Sequence, residues 1–303
     1  MYYYSFNDCF EKSYNDIVLS HCLSSTLKHY QQVSDEFPKE IRGILSDRSP
    51  QYFKVNDSST LLDIILKLNK EEKNYALRLF TKYPLEDFYP ELDIDNIFSD
   101  EYKIEVDSKH YDAICAKINH INDGFLFSLG LHTDLQKDRL CIIKNSKKYE
   151  YIVNLYGNKK NTGYNINIIR EKINSTKKGF EKFITIFQEP IYYQSFIDDF
   201  NSMTEETQNA IIKKFEFAKN RNLATYFAPD DNLIKDVTPN NESKIKLFEL
   251  RIFEPVCVRL YFYEESNEKV YLATVRKKPA KKVQTNDINT SISLVKSLKK
   301  IHN

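Results

Sequence analysis

Three β-rich runs lie close together between Lys244 and Lys282, and they constrain the chain more than anything before them. The first reads Lys244-Ile-Lys-Leu-Phe-Glu-Leu-Arg251 and the second Val256-Cys-Val-Arg-Leu-Tyr-Phe-Tyr263. The third, Val270-Tyr-Leu-Ala-Thr-Val275, runs straight into Arg276-Lys277-Lys278. Aromatic and β-branched residues dominate each run, and short polar connections such as Glu264-Glu-Ser-Asn-Glu268 separate them. That pattern predicts a three-stranded meander with a cationic cluster at the exit of its last strand.

The meander has helical company. Before it, Thr204-Glu-Glu-Thr207 is a capping sequence that opens a helix to about Lys219, and a shorter helix is expected over Tyr192–Phe200. Phe183-Ile-Thr-Ile-Phe187 reads as a short strand. After the meander, Ile288, Ile292, Val295 and Leu298 fall on one face of a helix spanning Asp287–Lys300. Asn174-Ser-Thr-Lys-Lys-Gly179 is the best linker candidate, so the expected domains are residues 1–175 and 181–303.

The N-terminal part reads differently. Apolar positions Phe6, Phe10, Tyr14, Ile17, Val18, Cys22 and Leu23 recur at helical spacing from Tyr2 to about Tyr30, and residues 1–83 read as mostly helical. The Tyr2-Tyr3-Tyr4 run suits helix packing or a partner contact. A helix is expected over His110–Ile118, strands over Tyr102–Val106, Phe125–Leu131, Arg139–Ile143 and Tyr149–Tyr156, and further alternation over Tyr164–Ile169. The fold class expected for the whole chain is α+β.

Charge is unevenly placed. The 303 residues carry a net charge of +1, but residues 244–303 hold 13 Lys and Arg against 6 Asp and Glu. A basic segment in a neutral chain points to a polyanion, or an acidic protein, met at one place. The 5 cysteines form no Cys-x-x-Cys pair and are odd in number, which argues against a disulfide framework or structural zinc and suggests a reducing cytosol. A cytoplasmic protein without a membrane partner is expected. No apolar run approaches the roughly 18 residues of a spanning helix. Asp93, Asp95, Asp107 and Lys109 loosely follow a metal-nuclease pattern, yet read better as a solvated acidic loop. His110, His120 and His132 have no partner at ligand spacing, so neither metal nor cofactor is expected.

Leu247-Phe-Glu-Leu-Arg251, Val258-Arg-Leu-Tyr-Phe-Tyr263 and Val270-Tyr-Leu-Ala-Thr-Val-Arg-Lys-Lys278, in that order and between those helices, closely resemble the RelE/HigB family of toxins. The resemblance covers about residues 181–303 and nothing before. It implies a small antiparallel sheet with packed helices and metal-independent endoribonuclease activity on mRNA, usually on the ribosome, inhibiting translation. Such a reaction needs a base for the ribose 2′-OH, cations for the extra phosphorane charge and an acid for the leaving 5′-oxygen.

By motif position the resemblance assigns Arg259 to the phosphate. It assigns Lys277 and Lys278 to the basic pair that supplies charge and exchanges a proton, and His302 to the catalytic histidine of some members. Arg251, Lys281 and Lys282 are the further basic positions it implies for RNA binding, and Arg276, Lys244 and Lys246 join them as RNA-binding candidates from the basic segment itself. The sequence also departs from the family. Arg276 stands where glycine is common, Cys257 where a turn residue is usual, and Gln284 is nearest to the position of an acid–base tyrosine. The implied partners are mRNA, the ribosome and an antitoxin protein, in a setting such as anti-phage or stress defence. A non-catalytic module binding RNA, ribosome or protein is the competing reading, and a regulatory subunit docking an acidic protein is a third.

Overall fold

The structure, a computed structural model, describes residues 1–89, 97, 99–145, 148–220, 227, 229, 233–266, 269–277 and 281–302. The chain is α+β and divides into two compact units, Met1–Arg170 and Glu171–Asn303.

The first unit is built on a seven-stranded mixed sheet. Strands β1 (Tyr2–Asn7), β2 (Ile41–Leu45), β5 (Phe125–Ser128) and β7 (Lys148–Leu155) form its parallel half. β6 (Arg139–Lys144), β3 (Tyr102–Val106) and β4 (Lys109–Asp112) continue it antiparallel, in the order β2-β1-β5-β7-β6-β3-β4. The helix expected from Tyr2 is therefore a strand followed by a helix. Tyr-Tyr-Tyr-Ser-Phe-Asn is aromatic-rich and pairs on both sides, with β2 and β5, so sheet burial overrides the helical spacing of Phe6 and Phe10. The helix α1 (Asp16–Glu36) starts where a cap permits, with the Asn15 side chain accepting from the N–H groups of Ile17 and Val18. It is the crossover that lets β1 and β2 run parallel.

Two short helices follow, α2 (Leu61–Leu66), opened by a Thr60–Asp63 capping box, and α3 (Lys70–Leu79). The expected helix at His110 splits into β4, paired with β3, and α4 (Ile114–Ile121). The alternation at Tyr164–Ile169 lies inside α5 (Lys159–Thr176).

Aromatic rings fill the core beside the parallel strands. Phe6 meets Phe53, Phe80 and Phe127 edge-on or tilted at 5.1–6.2 Å, and Tyr4 stacks on Phe125 at 5.1 Å. Through this core runs a closed polar chain. Asn7 Nδ2 donates to Ser128 Oγ (2.8 Å), whose hydroxyl donates to Asn154 Oδ1 (2.5 Å). Asn154 Nδ2 donates to the carbonyls of Leu135 (2.8 Å) and Lys137 (3.0 Å). Asn161 and Asn165 on α5 both donate to the Asn154 carbonyl, and Tyr4 Oη donates to Asn165. The chain fastens α5 and the β5–β6 connection onto β7.

The second unit holds a five-stranded sheet of order β8-β12-β11-β10-β9. Its strands are β8 (Glu189–Tyr192), β9 (Ile234–Asp236), β10 (Phe248–Ile252), β11 (Val258–Glu264) and β12 (Lys269–Lys277). β8 joins β12 in parallel, and every other pair is antiparallel. Phe183–Phe187, expected as a strand, belongs to α6 (Gly179–Ile184) and the turn after it. Phe180, Phe183, Ile184 and Phe187 follow helical spacing, and Phe183 stacks on Phe196 and Phe200.

Helices α6, α7 (Gln194–Asn201) and α8 (Glu205–Lys219) cover one sheet face through a core of Phe196, Phe200, Phe215, Leu250, Leu260 and Leu272. The long α9 (Lys281–His302) covers the other with Ile292, Val295 and Leu298 against Leu247, Tyr261 and Tyr271. Among the described residues no helix is long and apolar enough to cross a membrane.

Asn154 is fully buried and satisfies one hydroxyl and two carbonyls with its side chain. Asn154→Ala is expected to destabilise the protein by about 3 kcal/mol, from the polar groups it strands. A fall in the thermal unfolding midpoint of several degrees would register this; an unchanged midpoint would mean that the polar chain contributes nothing.

Candidate functional site

The meander lines up three arginines. The β10–β11 register sets Arg251 opposite Arg259, and the β11–β12 register sets Arg259 opposite Arg276. Residues directly opposed in antiparallel strands project from the same face, so the three guanidinium groups form one rung across three strands, on the α9 side. Like charges so placed repel, and the rung persists because carboxylates are built into it. Glu249 lies two residues before Arg251 on the same face and is fully buried. It accepts from Arg251 Nε (3.1 Å) and Nη2 (2.9 Å), and from Arg259 Nη1 (2.5 Å). Arg276 forms an ion pair with Asp199 of α7. That helix comes within reach because the β8–β12 pairing stops at Leu272 and the chain then turns into α7. Three guanidinium groups against two carboxylates leave one net positive charge on the rung.

Exposure grades along the rung. The side chains of Arg259, Arg251 and Arg276 are 15%, 25% and 45% exposed. The floor is therefore charged and held by ion pairs, with the greatest accessible share of it at Arg276. A site of this kind suits a phosphate diester, which accepts several N–H bonds at once.

The first turns of α9 close over the floor. Ser291 Oγ lies 2.8 Å from Thr274 Oγ1, two residues before Arg276, and clips the helix to β12. One turn earlier stands Asp287, whose Oδ2 is buried with no hydrogen-bond partner among the described residues. Below it, burial and then the Glu249 charge push the Tyr261 hydroxyl up to about 12, with Arg259 working against them and Asp287 with them.

The other expected residues are less collected. Lys277 is exposed and sits opposite Val258, so the pleat places it on the face away from the rung. Lys278 lies outside the described residues. Lys281 and Lys282 begin α9, and their backbones alone are described. Lys244 and Lys246 are exposed on the approach to β10.

His302 is exposed at the far end of α9. Three residues before it, Lys299 is bound to Glu265 at the β11–β12 turn and lies over the Tyr263 ring. That end of the sheet is on the order of 20 Å from the arginines. His302 is therefore not brought into the rung.

Asp199 was invisible in the sequence as a site residue, since an acid on an exposed helix face carries no distinguishing pattern. In the sequence Asp287 is legible only as the opening of the last helix. In the first unit, Asp93 and Asp95 lie outside the described residues, and Lys109 is paired with Glu11 at 2.6 Å. His120 is 3.8 Å from Glu150, and His132 is 3.3 Å from Asp134. No metal-binding cluster occurs among the described residues. In comparisons with known proteins, no family model, no curated protein and no solved structure matches the chain.

Glu249→Ala removes the counter-charge of two mostly buried arginines and is expected to cost about 3 kcal/mol, with Glu249→Gln costing less. Denaturant unfolding of both variants checks the order. Tyr261 adds a pH dependence. Its unfolded value is near 10 and its folded value about 12, so between those limits the unfolded chain binds fewer protons and stability falls as pH rises. Tyr261→Phe should make that alkaline fall shallower; an identical slope would mean that Tyr261 does not titrate there.

Proposed function

We propose that residues 181–303 form a RelE/HigB-like domain whose arginine rung binds the phosphate backbone of RNA, and that the protein is a toxin-type endoribonuclease acting on mRNA. The rung carries this reading: Arg251, Arg259 and Arg276 face one another across three strands with carboxylates behind them. The element order supports it as well. Two helices, a meander and a closing helix follow one another as α7, α8, β10–β12 and α9, while the opening strand is β8, paired in parallel with β12, in place of Phe183–Phe187, and α6 and the short β9 are additions to the expected order.

In this reading the chain's own cations do the electrostatic work. Arg259 and Arg251, oriented by Glu249, hold the non-bridging oxygens of the scissile phosphate as the 2′-oxygen attacks. Arg276 takes up charge at the exposed side. Preorganised donors of this kind stabilise a developing phosphorane without reorganising during the reaction. Lys277 lies on the sheet face away from the rung, so of the basic pair at the exit of β12 proton transfer is left to Lys278, which lies outside the described residues. His302 takes no part in this scheme, because of its distance from the rung.

The second reading, a non-catalytic RNA-binding module, draws on two observations: Lys277 points away from the rung, and Arg259 is largely enclosed by its ion pair. Inducible expression separates the two. Growth arrest with new RNA 5′ ends in the wild type, both reduced at least about a hundredfold in Arg259→Ala, is the expected outcome. Arrest that survives both Arg259→Ala and Lys277→Ala would sink the enzyme reading. RNA binding without new ends would favour the module.

A further inference from the structure

The turn that joins the two central arginine strands is apolar and exposed, which a turn of solvating residues would not be. Between β10 and β11 the chain reads Phe253-Glu-Pro-Val-Cys257. Phe253 is 59% exposed and Val256 38% exposed. The Cys257 thiol donates to the Phe253 carbonyl at 3.6 Å and draws the two sides of the turn together. Phe253 and Cys257 line one small pocket together with Arg251 and Arg259. Ile252 and Val258 complete its lining, so the pocket sits where the β10–β11 pair ends and the turn begins. An aromatic ring that could have been buried instead stands beside the two guanidinium groups.

Aromatic rings next to cations in a groove are the combination that single-stranded nucleic acid uses: the phosphate goes to the cation and the base stacks on the ring. A duplex has its bases already stacked and cannot offer one. We propose that Phe253 is the stacking platform for the nucleobase next to the phosphate held by Arg251 and Arg259, so that this site takes single-stranded RNA and rejects duplex. Charge favours RNA over an apolar protein segment here, because an apolar partner would have to desolvate Arg251 and Arg276 without compensating them. The proposal rests on the RNA reading of the rung and adds its selectivity. Glu254 and Val256 of the same turn are exposed as well.

The test uses the full chain and a labelled ten-nucleotide RNA with every ribose 2′-O-methylated, so that no 2′-OH is available for cleavage. The probe is offered as a single strand and as the same sequence in duplex, and affinity is read by fluorescence anisotropy. Phe253→Ala should weaken single-strand binding at least about fivefold, Phe253→Tyr should restore it, and duplex binding should not change. The thermal midpoint of Phe253→Ala should match the wild type, since the ring is mostly exposed.

Arg259→Ala identifies which idea fails. If it loses binding while Phe253→Ala binds like the wild type, the platform is wrong and the rung reading stands. Equal weakening of single strand and duplex by Phe253→Ala would overturn stacking in favour of a role in shaping the turn. A wild type that binds neither probe removes the platform and the RNA reading together.

Discussion

A carboxylate with no access to water is costly unless charge and hydrogen bonds meet it. Glu249 is such a group, and much of the second unit follows from satisfying it. Its two oxygens need donors from the same sheet face, and strand geometry offers two near places for them: two residues along β10, and the diagonal position on β11, Tyr261 being the residue directly opposite. Arg251 and Arg259 occupy those places. The buried acid therefore sets the directions of both guanidinium groups before any ligand arrives. The same bonds limit what the arginines can offer. Arg259 gives one of its five donors to Glu249, and its burial leaves few others open to a phosphate. Rigidity and availability oppose each other at this residue, and the open end of the rung, at Arg276, holds the greater share of accessible charge.

The meander and its flanking helices were legible because two periods meet there. Alternation of aromatic and β-branched residues marks β10, β11 and β12, and the i, i+4 spacing of Ile288 and Ile292 marks α9. The pairing of the arginines was not legible, since a shift of one residue in either turn would send them to opposite faces. Register is settled by which residues of both faces are buried, and that information is spread over α6, α7, α8 and α9. For the same reason Lys277 read as part of one basic cluster with Arg276, although one step along a strand reverses the face. His302 matched a position in a motif but not a position in space. A helix of 22 residues carries its last residue far from its first.

The first unit misled the sequence reading in a different way. Its parallel strands are buried on both faces, so they lose the alternation that marks a half-exposed strand. Tyr2–Asn7 and Ile41–Leu45 are short, lie beside strongly helical segments, and are joined by a crossover helix rather than by a hairpin turn. Polar residues added to the confusion. Asn7, Ser128 and Asn154 sit at the ends of strands, where they would normally suggest loops, yet they are interior and satisfied. The asparagine richness of the chain is therefore partly structural. Asn161 and Asn165 take α5 to the sheet through hydrogen bonds where Leu or Ile would ordinarily use packing alone.

The two ways in which β12 is paired differ in what they ask of the folding chain. With β11 it forms a hairpin between neighbours in sequence, whereas its parallel pairing with β8 joins Lys269 to Glu189 across some eighty residues. Closing a long loop costs more entropy than closing a hairpin, and non-local pairs form late. The arginine rung lies wholly inside the local part, and its Asp199 partner arrives with the non-local part. The charged floor is thus expected to assemble first as a free-standing hairpin array, with the α7 carboxylate added as β8 docks. Pulse-labelled amide exchange would show this order as protection of β10 and β11 before β8; simultaneous protection would mean that the whole sheet condenses in one step.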